Sequence, residues 1–434
     1  MNQPKRSNQR LGVALLGCGT VGSGVLDILQ NHPPRVSSCA NGDLEVVGVA
    51  VRTLDRERAP VVPVDKLTTD AASLVTRPDV HVVVEVMGGL EPARTLVLSA
   101  LQAGKAVVTA NKAIVARFGD ELAAAAREGG GQLFYEAAAA GAIPVVKVVA
   151  ESLRGNRIDS LMGIVNGTCN YILTQMTESG AAFDAALADA QALGYAEADP
   201  TSDVGGEDAA YKLALLARLG FGTDVSLESV SCEGIEDVTA EDVSRARSLG
   251  YVIKLLAVAQ RQGDGLEARV HPTLVPKEHP LAAVNGAFNA VFIDGDSAGP
   301  LMLYGQGAGR GPTASAVAAD IIDAARAIRS AQAAGPAPGF AEGLTVLPLE
   351  DTESRYYVSL KVVDEPGVLA AVAGALARHG VSVASCLQEG QGAAPVDLIF
   401  VTHTVRHGAL IAALVDVASL DSVTRVASTM RVLK

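Results

Sequence analysis

Hydrophobic positions along the chain change texture twice. In the N-terminal third, residues 11–16, 44–51, 80–86 and 106–109 are uninterrupted apolar runs, the pattern of strands buried on both faces of a parallel sheet. Between them stand stretches of helical spacing, 25–29 and 92–103, the second with Pro92 suited to a first turn. A Rossmann-type, doubly wound α/β domain is the architecture that this alternation predicts. From Ile158 the runs at 158–165, 251–261, 266–275, 287–294 and 301–304 have strand character and predict a second, mixed α+β sheet covered by helices. Residues 331–339, rich in Ala, Gly and Pro, read as a linker. Beyond it the order strand 356–362, helix 368–379, strands 381–387 and 396–404, helix 409–418 and strand 423–432 is ferredoxin-like.

Chemistry enters at the joints of this pattern. The first strand runs straight into Gly17-Cys-Gly-Thr-Val-Gly22 and a helix, the context a dinucleotide fingerprint requires. Gly17 permits the tight turn, Gly19 admits a pyrophosphate to the backbone, and Gly22 lets the helix pack on the strand, with Thr20 and Val21 completing the loop. The second strand ends in Val51-Arg52, where NAD-preferring folds carry an acidic residue. Arg52 suits a 2′-phosphate and points to NADP over NAD. The strand 106–109 delivers Asn111 and Lys112 at its C-terminal end, the edge of a doubly wound sheet where ligands bind.

Residues 136–144 are small and end in Pro144, which suits the start of a helix through 153. Read from the residues, this is a close-packed turn whose backbone carbonyls could hold a hard cation. Cys169 stands near a helix N-terminus, where the dipole favours a thiolate, although a cysteine so placed is more often a small buried filler, and that is the favoured reading. The stretch 193–212 gathers Glu197, Asp199, Asp203, Asp208 and Lys212. Its second half opens a helix on which Asp208 and Lys212 share a face. On local grounds alone that pair is as readily a surface ion pair as a functional one. A second glycine-rich loop, 305–312, including Gly309, precedes a helix over 313–330.

Charge and composition narrow the classes. The 434 residues carry a net charge of −13, against non-specific binding to nucleic acid or anionic membrane. No apolar run reaches membrane-spanning length, and the first ten residues lack a signal-peptide core. Five scattered cysteines give no zinc spacing and suit a reducing cytoplasm. The histidines do not cluster; His271 and His279, each before a proline, read as turn or strand-end residues.

In this order Gly-Cys-Gly-Thr-Val-Gly22, Thr-Ala-Asn-Lys112, Asn-Gly-Thr-Cys-Asn-Tyr171, Gly-Tyr-Ala-Glu-Ala-Asp-Pro200, the Asp208–Lys212 pair and Gly-Ala-Gly309 resemble homoserine dehydrogenase. Asp-Glu-Pro-Gly-Val-Leu369 resembles the ACT signature of the family's longer form. The resemblance implies an NAD(P)-binding domain over 1–145 with 305–330 returning to it, a substrate-binding and dimerisation domain over 146–304, a linker over 331–350 and an ACT domain over 351–434. It implies reversible reduction of L-aspartate 4-semialdehyde to L-homoserine, in a homodimer or homotetramer, with threonine as a ligand of the ACT domain. Lys212 is then the main proton-transfer residue with Lys112 near the reacting oxygen. Asp208 and Glu197 bind the substrate amino group, and Gly194 makes a backbone contact. Gly17, Gly19, Thr20, Val21, Gly22, Arg52, Lys112 and Gly309 serve the cofactor. The family's sodium site of backbone oxygens falls on Glu136, Ala139, Gly141 and Ile143. Asp199 and Asp203 remain loop and cap residues.

Two other readings stay in view. An acylating or phosphorylating semialdehyde dehydrogenase would use Cys169 covalently. An amino-acid-sensing module would use the C-terminal domain alone.

Overall fold

The computed structural model describes residues 10–55, 61–330, 343–390 and 395–433; the sequence-predicted linker at 331–339 lies outside them. The chain divides into two compact units, one of residues 1–158, 214–227 and 295–343, the other of 159–213, 228–294 and 344–434.

The first unit holds a six-stranded sheet of β1 (Leu11–Leu16), β2 (Leu44–Ala50), β3 (Leu67–Thr68), β4 (Val82–Glu85), β5 (Ala106–Thr109) and β6 (Gln132–Phe134). They lie in the order β3-β2-β1-β4-β5-β6, and every pairing is parallel. Burial on both faces explains the unbroken apolar runs: β1, β4 and β5 are buried throughout. Strand order reverses between β1 and β4, which makes their C-terminal ends the topological switch point. Val13, Leu15, Val84 and Val108 pack with Val25 and Leu26 of helix Thr20–Asn31 and with Val317 and Ile321 of helix Arg310–Ser330. The helix expected over 144–153 is short at Val145–Lys147 and widens into a π-turn over Val148–Ser152.

In the second unit the strands are β7 (Ile158–Ile164), β8 (Ser231–Cys232), β9 (Tyr251–Gln262), β10 (Gly265–Pro276) and β11 (Phe288–Gly295); β12 (Gly299–Gln306) belongs to the first unit. β9 and β10 form a twelve-residue antiparallel hairpin turning at Gly263, and β7 pairs antiparallel with β9. The C-terminal part adds β13 (Thr345–Val346), β14 (Glu353–Val362), β15 (Val383–Glu389), β16 (Val396–Thr402), β17 (Val405–Arg406) and β18 (Val423–Val432). Helices Val368–Arg378 and His407–Ala418 lie between these strands in the expected ferredoxin-like order. Their core is built from Tyr356, Val358, Leu360, Val372, Leu376, Phe400, Leu410 and Val417.

This C-terminal sheet is continuous with the hairpin sheet, because β18 pairs parallel with β10 at Thr273–Arg431 and Leu274–Val432. The seam also corrects one sequence expectation. His271 is buried inside β10, accepts from Arg269 Nε at its own Nε2, and meets Thr273 Oγ1 at 2.8 Å. Burial, with Arg431 and Arg269 nearby, holds it well below the usual histidine range. His279 does sit at a turn, capping the 3-10 helix Pro280–Ala283.

A buried ion pair ties the two parts together. Arg245, on helix Ala240–Ser248, reaches Asp397 Oδ2 and Ser359 Oγ, and Lys361 Nζ takes Asp397 Oδ1 at 2.8 Å. The Arg245 side chain is 6% exposed, so removing Asp397 leaves a buried charge with only the exposed Glu241 carboxylate, at 3.3 Å, to meet it. Asp397→Ala should therefore cost about 3 kcal/mol in urea unfolding. A change below about 0.5 kcal/mol, the level of a surface pair, would show that the contact is not holding the C-terminal sheet.

Candidate active site

The second unit collects its polar side chains at the C-terminal end of β7. Asn166 follows the strand and caps helix Gly167–Ser179, its Oδ1 accepting the Cys169 N–H at 2.8 Å. Helix Glu207–Phe221 presents Asp208 and Lys212 one turn apart, and Lys212 Nζ donates to Asp208 Oδ2 at 2.8 Å. Their side chains are 12% and 6% exposed for Lys212 and Asp208, which removes the surface-pair reading. The Lys212 ammonium also donates to the Val165 carbonyl at 2.7 Å. Asp208 Oδ2 takes a second hydrogen bond, from Asn166 Nδ2 at 2.9 Å.

Asp203 is not the plain loop or cap residue that the sequence suggested. Its Oδ1 accepts from Asn166 Nδ2 at 2.7 Å and its Oδ2 from Thr168 Oγ1 at 3.3 Å, so it belongs to the same cluster. Asp199 behaves as expected, receiving the N–H and hydroxyl of Thr201. Gly194 turns the chain at φ 77°, and the exposed Glu197 follows on that loop. Thr168 Oγ1 holds the loop by donating to the Tyr195 carbonyl at 2.7 Å. On the far side of the capped helix, buried Lys254 donates to Asn170 Oδ1 and the Val284 carbonyl, and burial pushes its pKa down to about 8. Asn166, Thr168, Asp203 and Lys254 escaped sequence reasoning. Asn166-Gly-Thr168 at a strand end was the available signal for the first two.

Cys169 is the small buried filler that its sequence reading favoured over a nucleophile. It is fully buried, its Sγ rests 3.1 Å from the Asp203 carbonyl, and burial with Asp203 and Asp208 nearby pushes the thiol well above its usual pKa. The helix dipole loses to desolvation here.

The fingerprint of the first unit has the geometry each glycine was assigned. Gly17 adopts φ 100°, and a Cβ there would lie 2.9 Å from the Val86 carbonyl oxygen. A Cβ on Gly22 would lie 2.5 Å from the Gly17 oxygen. At Gly19, the residue before helix Thr20–Asn31, an added Cβ meets nothing within 4 Å. That open backbone beside a helix N-terminus fits a pyrophosphate. Thr20 and Val21 open the helix, Arg52 is exposed just beyond β2, and Gly309, at φ 117°, precedes helix Arg310–Ser330.

At the switch point, buried Glu85 ends β4. Its Oε1 accepts the N–H groups of Met87 and Gly88, and its Oε2 accepts the Thr109 hydroxyl. Asn111 caps helix Lys112–Gly129 and donates to the Gly89 carbonyl, so the loops after β4 and β5 are fixed around Lys112.

The 136–143 segment is turned by Gly141, at φ 59°, where a Cβ would lie 2.3 Å from the Gly307 oxygen. The Glu136 carboxylate faces inward to accept the N–H groups of Val146 and Lys147. Burial raises its pKa to about 7 against those two donors. Of the four backbone oxygens expected to hold a cation, that of Ile143 accepts the Val145 N–H at 2.8 Å and that of Glu136 accepts the Ala139 N–H at 3.3 Å. Among the described residues no group of three His, Cys, Asp or Glu side chains could hold a metal ion, and no helix is long and apolar enough to cross a membrane.

Iodoacetamide should label exposed Cys39 well before Cys169 in the native protein, followed by peptide mass spectrometry. Prompt labelling of Cys169 would restore the covalent route.

Comparison with known proteins agrees with these features along nearly the whole chain. The model for homoserine dehydrogenase matches residues 144–322, that for the homoserine dehydrogenase NAD binding domain matches 17–136, and that for the ACT domain matches 356–418. A homoserine dehydrogenase of Synechocystis is 48% identical over 431 residues, covering 97% of this chain and 99% of that one. The crystal structure of a homoserine dehydrogenase from Thiobacillus denitrificans superposes with a TM-score of 0.93 at 42% identity, covering 99% of both chains. A hyperthermophilic archaeal homoserine dehydrogenase in complex with NADPH has a TM-score of 0.60 at 26% identity, covering 73% of this chain and 98% of that one. A glycine turn shaped for a dinucleotide, a buried lysine–aspartate pair and relatives nearly half identical from end to end place this chain in the homoserine dehydrogenase family.

Proposed function

We propose that Lys212 is the proton donor in the reduction of L-aspartate 4-semialdehyde to L-homoserine, and that Asp208 and Glu197 hold the substrate amino group. The buried Lys212–Asp208 pair, fixed on the Val165 carbonyl, is the observation that supports this reading. The dinucleotide supplies the hydride to the aldehyde carbon, and the carbonyl oxygen gains negative charge as it arrives. Two of the Lys212 ammonium N–H groups bond to Asp208 and Val165. The third is the one that meets the substrate oxygen, first as a charge-stabilising donor and then by passing its proton. Asp208 keeps the ammonium oriented through the step. Gly194 offers a backbone contact on the loop that carries Glu197, and Lys112 contributes a second cation at the reacting oxygen and a contact to the cofactor.

The archaeal relative carries NADPH, and Arg52 beyond β2 supports the same coenzyme here, with NAD as the weaker alternative. Gly17, Gly19, Thr20, Val21, Gly22 and Gly309 line its phosphates. A sodium ion, or a monovalent cation like it, is held by the backbone oxygens of Glu136, Ala139, Gly141 and Ile143. The ACT domain binds threonine as feedback inhibitor, and the enzyme works in the cytoplasm as a homodimer or homotetramer.

Oxidation of NADPH followed at 340 nm with aspartate 4-semialdehyde tests the whole reading, with homoserine as the expected product. In that assay Lys212→Ala should lower kcat by about a thousandfold while leaving the cofactor dissociation constant unchanged. Normal turnover in that variant would remove Lys212 from the proton step. Arg52→Ala should lower kcat/KM for NADPH about tenfold and leave that for NADH unchanged. An equal loss with both coenzymes would mean that Arg52 does not read the 2′-phosphate.

A further inference from the structure

We infer that Asn166 is a positioning residue whose side-chain amide sets the Asp203 and Asp208 carboxylates, and through Asp208 the aim of Lys212. The inference rests on the proton-donor role proposed for Lys212.

One small amide performs three tasks at once. Its Oδ1 accepts the Cys169 N–H at 2.8 Å, and its Nδ2 donates to Asp203 Oδ1 at 2.7 Å and to Asp208 Oδ2 at 2.9 Å. An amide oxygen accepts and an amide nitrogen donates twice, so the side chain's donors are fully used. Its orientation is fixed by the same bonds, since the flipped amide would set an oxygen against two carboxylates and an NH2 against an N–H. Asn166 is 4% exposed, so water does not substitute freely for any of the three.

The consequence for Lys212 is geometric. Asp208 Oδ2 takes both Lys212 Nζ and Asn166 Nδ2, and the preceding residue, Val165, gives the ammonium its second acceptor. The residue pair 165–166 therefore fixes lysine and aspartate from one rigid point, where β7 ends and a capped helix begins. The amide also bridges two carboxylates, of which Asp208 takes the Lys212 ammonium. Groups with charge or titratable protons around it are Asp203 from the turn before the helix, Asp208 and Lys212 from helix Glu207–Phe221, Cys169 on its own helix, and Cys232 of β8 against Gly206.

Capping and bridging can be separated by substitution. Asn166→Ser keeps a good N-cap but has no amide to reach the carboxylates. It should raise KM for aspartate 4-semialdehyde and lower kcat, with kcat/KM down about ten- to a hundredfold. The cofactor dissociation constant should stay close to wild type, while the thermal midpoint should fall modestly because buried carboxylates lose a donor. The acid limb of kcat/KM should move to higher pH, because the variant removes a hydrogen bond that favours the charged form of each carboxylate. Asn166→Asp also caps the helix but adds a third carboxylate. Its activity relative to wild type should rise as pH falls, when a protonated acid restores a donor.

A wild-type KM and pH profile in Asn166→Ser would overturn the inference. So would a loss that comes with equally weakened cofactor binding and an unshifted profile, the signature of a general structural role. Failure of the wild-type protein to reduce aspartate 4-semialdehyde would instead remove the underlying functional reading.

Discussion

A lysine and an aspartate held away from water are costly unless nearly every donor and acceptor they carry is met. Around Lys212 and Asp208 the second unit meets that demand with local backbone and one amide, not with further charge. The Val165 carbonyl and the Asn166 amide come from consecutive residues at the end of a strand. Helix Gly167–Ser179 must start there, and its cap must be a residue with both an acceptor and two donors. The turn before helix Glu207–Phe221 must bring Asp203 to the same amide, and buried Cys169 packs against that turn's carbonyl. Several elements thus have their ends placed by one ion pair.

The first unit solves a different problem, the approach of a phosphate to bare backbone. Its constraint is steric: Gly17 and Gly22 have no room for a Cβ, whereas Gly19 leaves open space beside a helix N-terminus. Glu85 and Asn111 then fix the loops after β4 and β5 with side-chain bonds to backbone. Precision on this sheet edge comes from capped, short loops rather than from long excursions. The C-terminal ferredoxin-like part is joined differently again, through a shared sheet and the Arg245–Asp397 pair. That pair links strands β14 and β16 to helix Ala240–Ser248.

Strands β1, β2, β4 and β5 were legible because parallel burial leaves unbroken apolar runs, while the short edge strands β3 and β6 carry no such run; the glycine loop was legible because steric limits act on residue type. The ferredoxin-like order was readable for the same reason that its strands and helices differ in period. Side-chain alliances were not. Asp203 and Asp199 look alike in the sequence, yet one bonds to Asn166 and the other to its own loop, since only tertiary approach separates them. His271 before a proline looked like a strand end but lies within a strand, because β10 stays paired with β9 through Pro276 and meets β18 at Thr273 and Leu274. Cys169 carried the local signal of a reactive thiol, and burial reversed it.

If Lys212 and Asp208 work as one unit, their effects on catalysis cannot be independent. The direct measurement is a double-mutant cycle on kcat/KM for aspartate 4-semialdehyde with Lys212→Ala, Asp208→Asn and the pair. The account predicts that the double variant is scarcely slower than Lys212→Ala alone. Losses that multiply, each substitution reducing kcat/KM by the same factor whether or not the other is present, would contradict it.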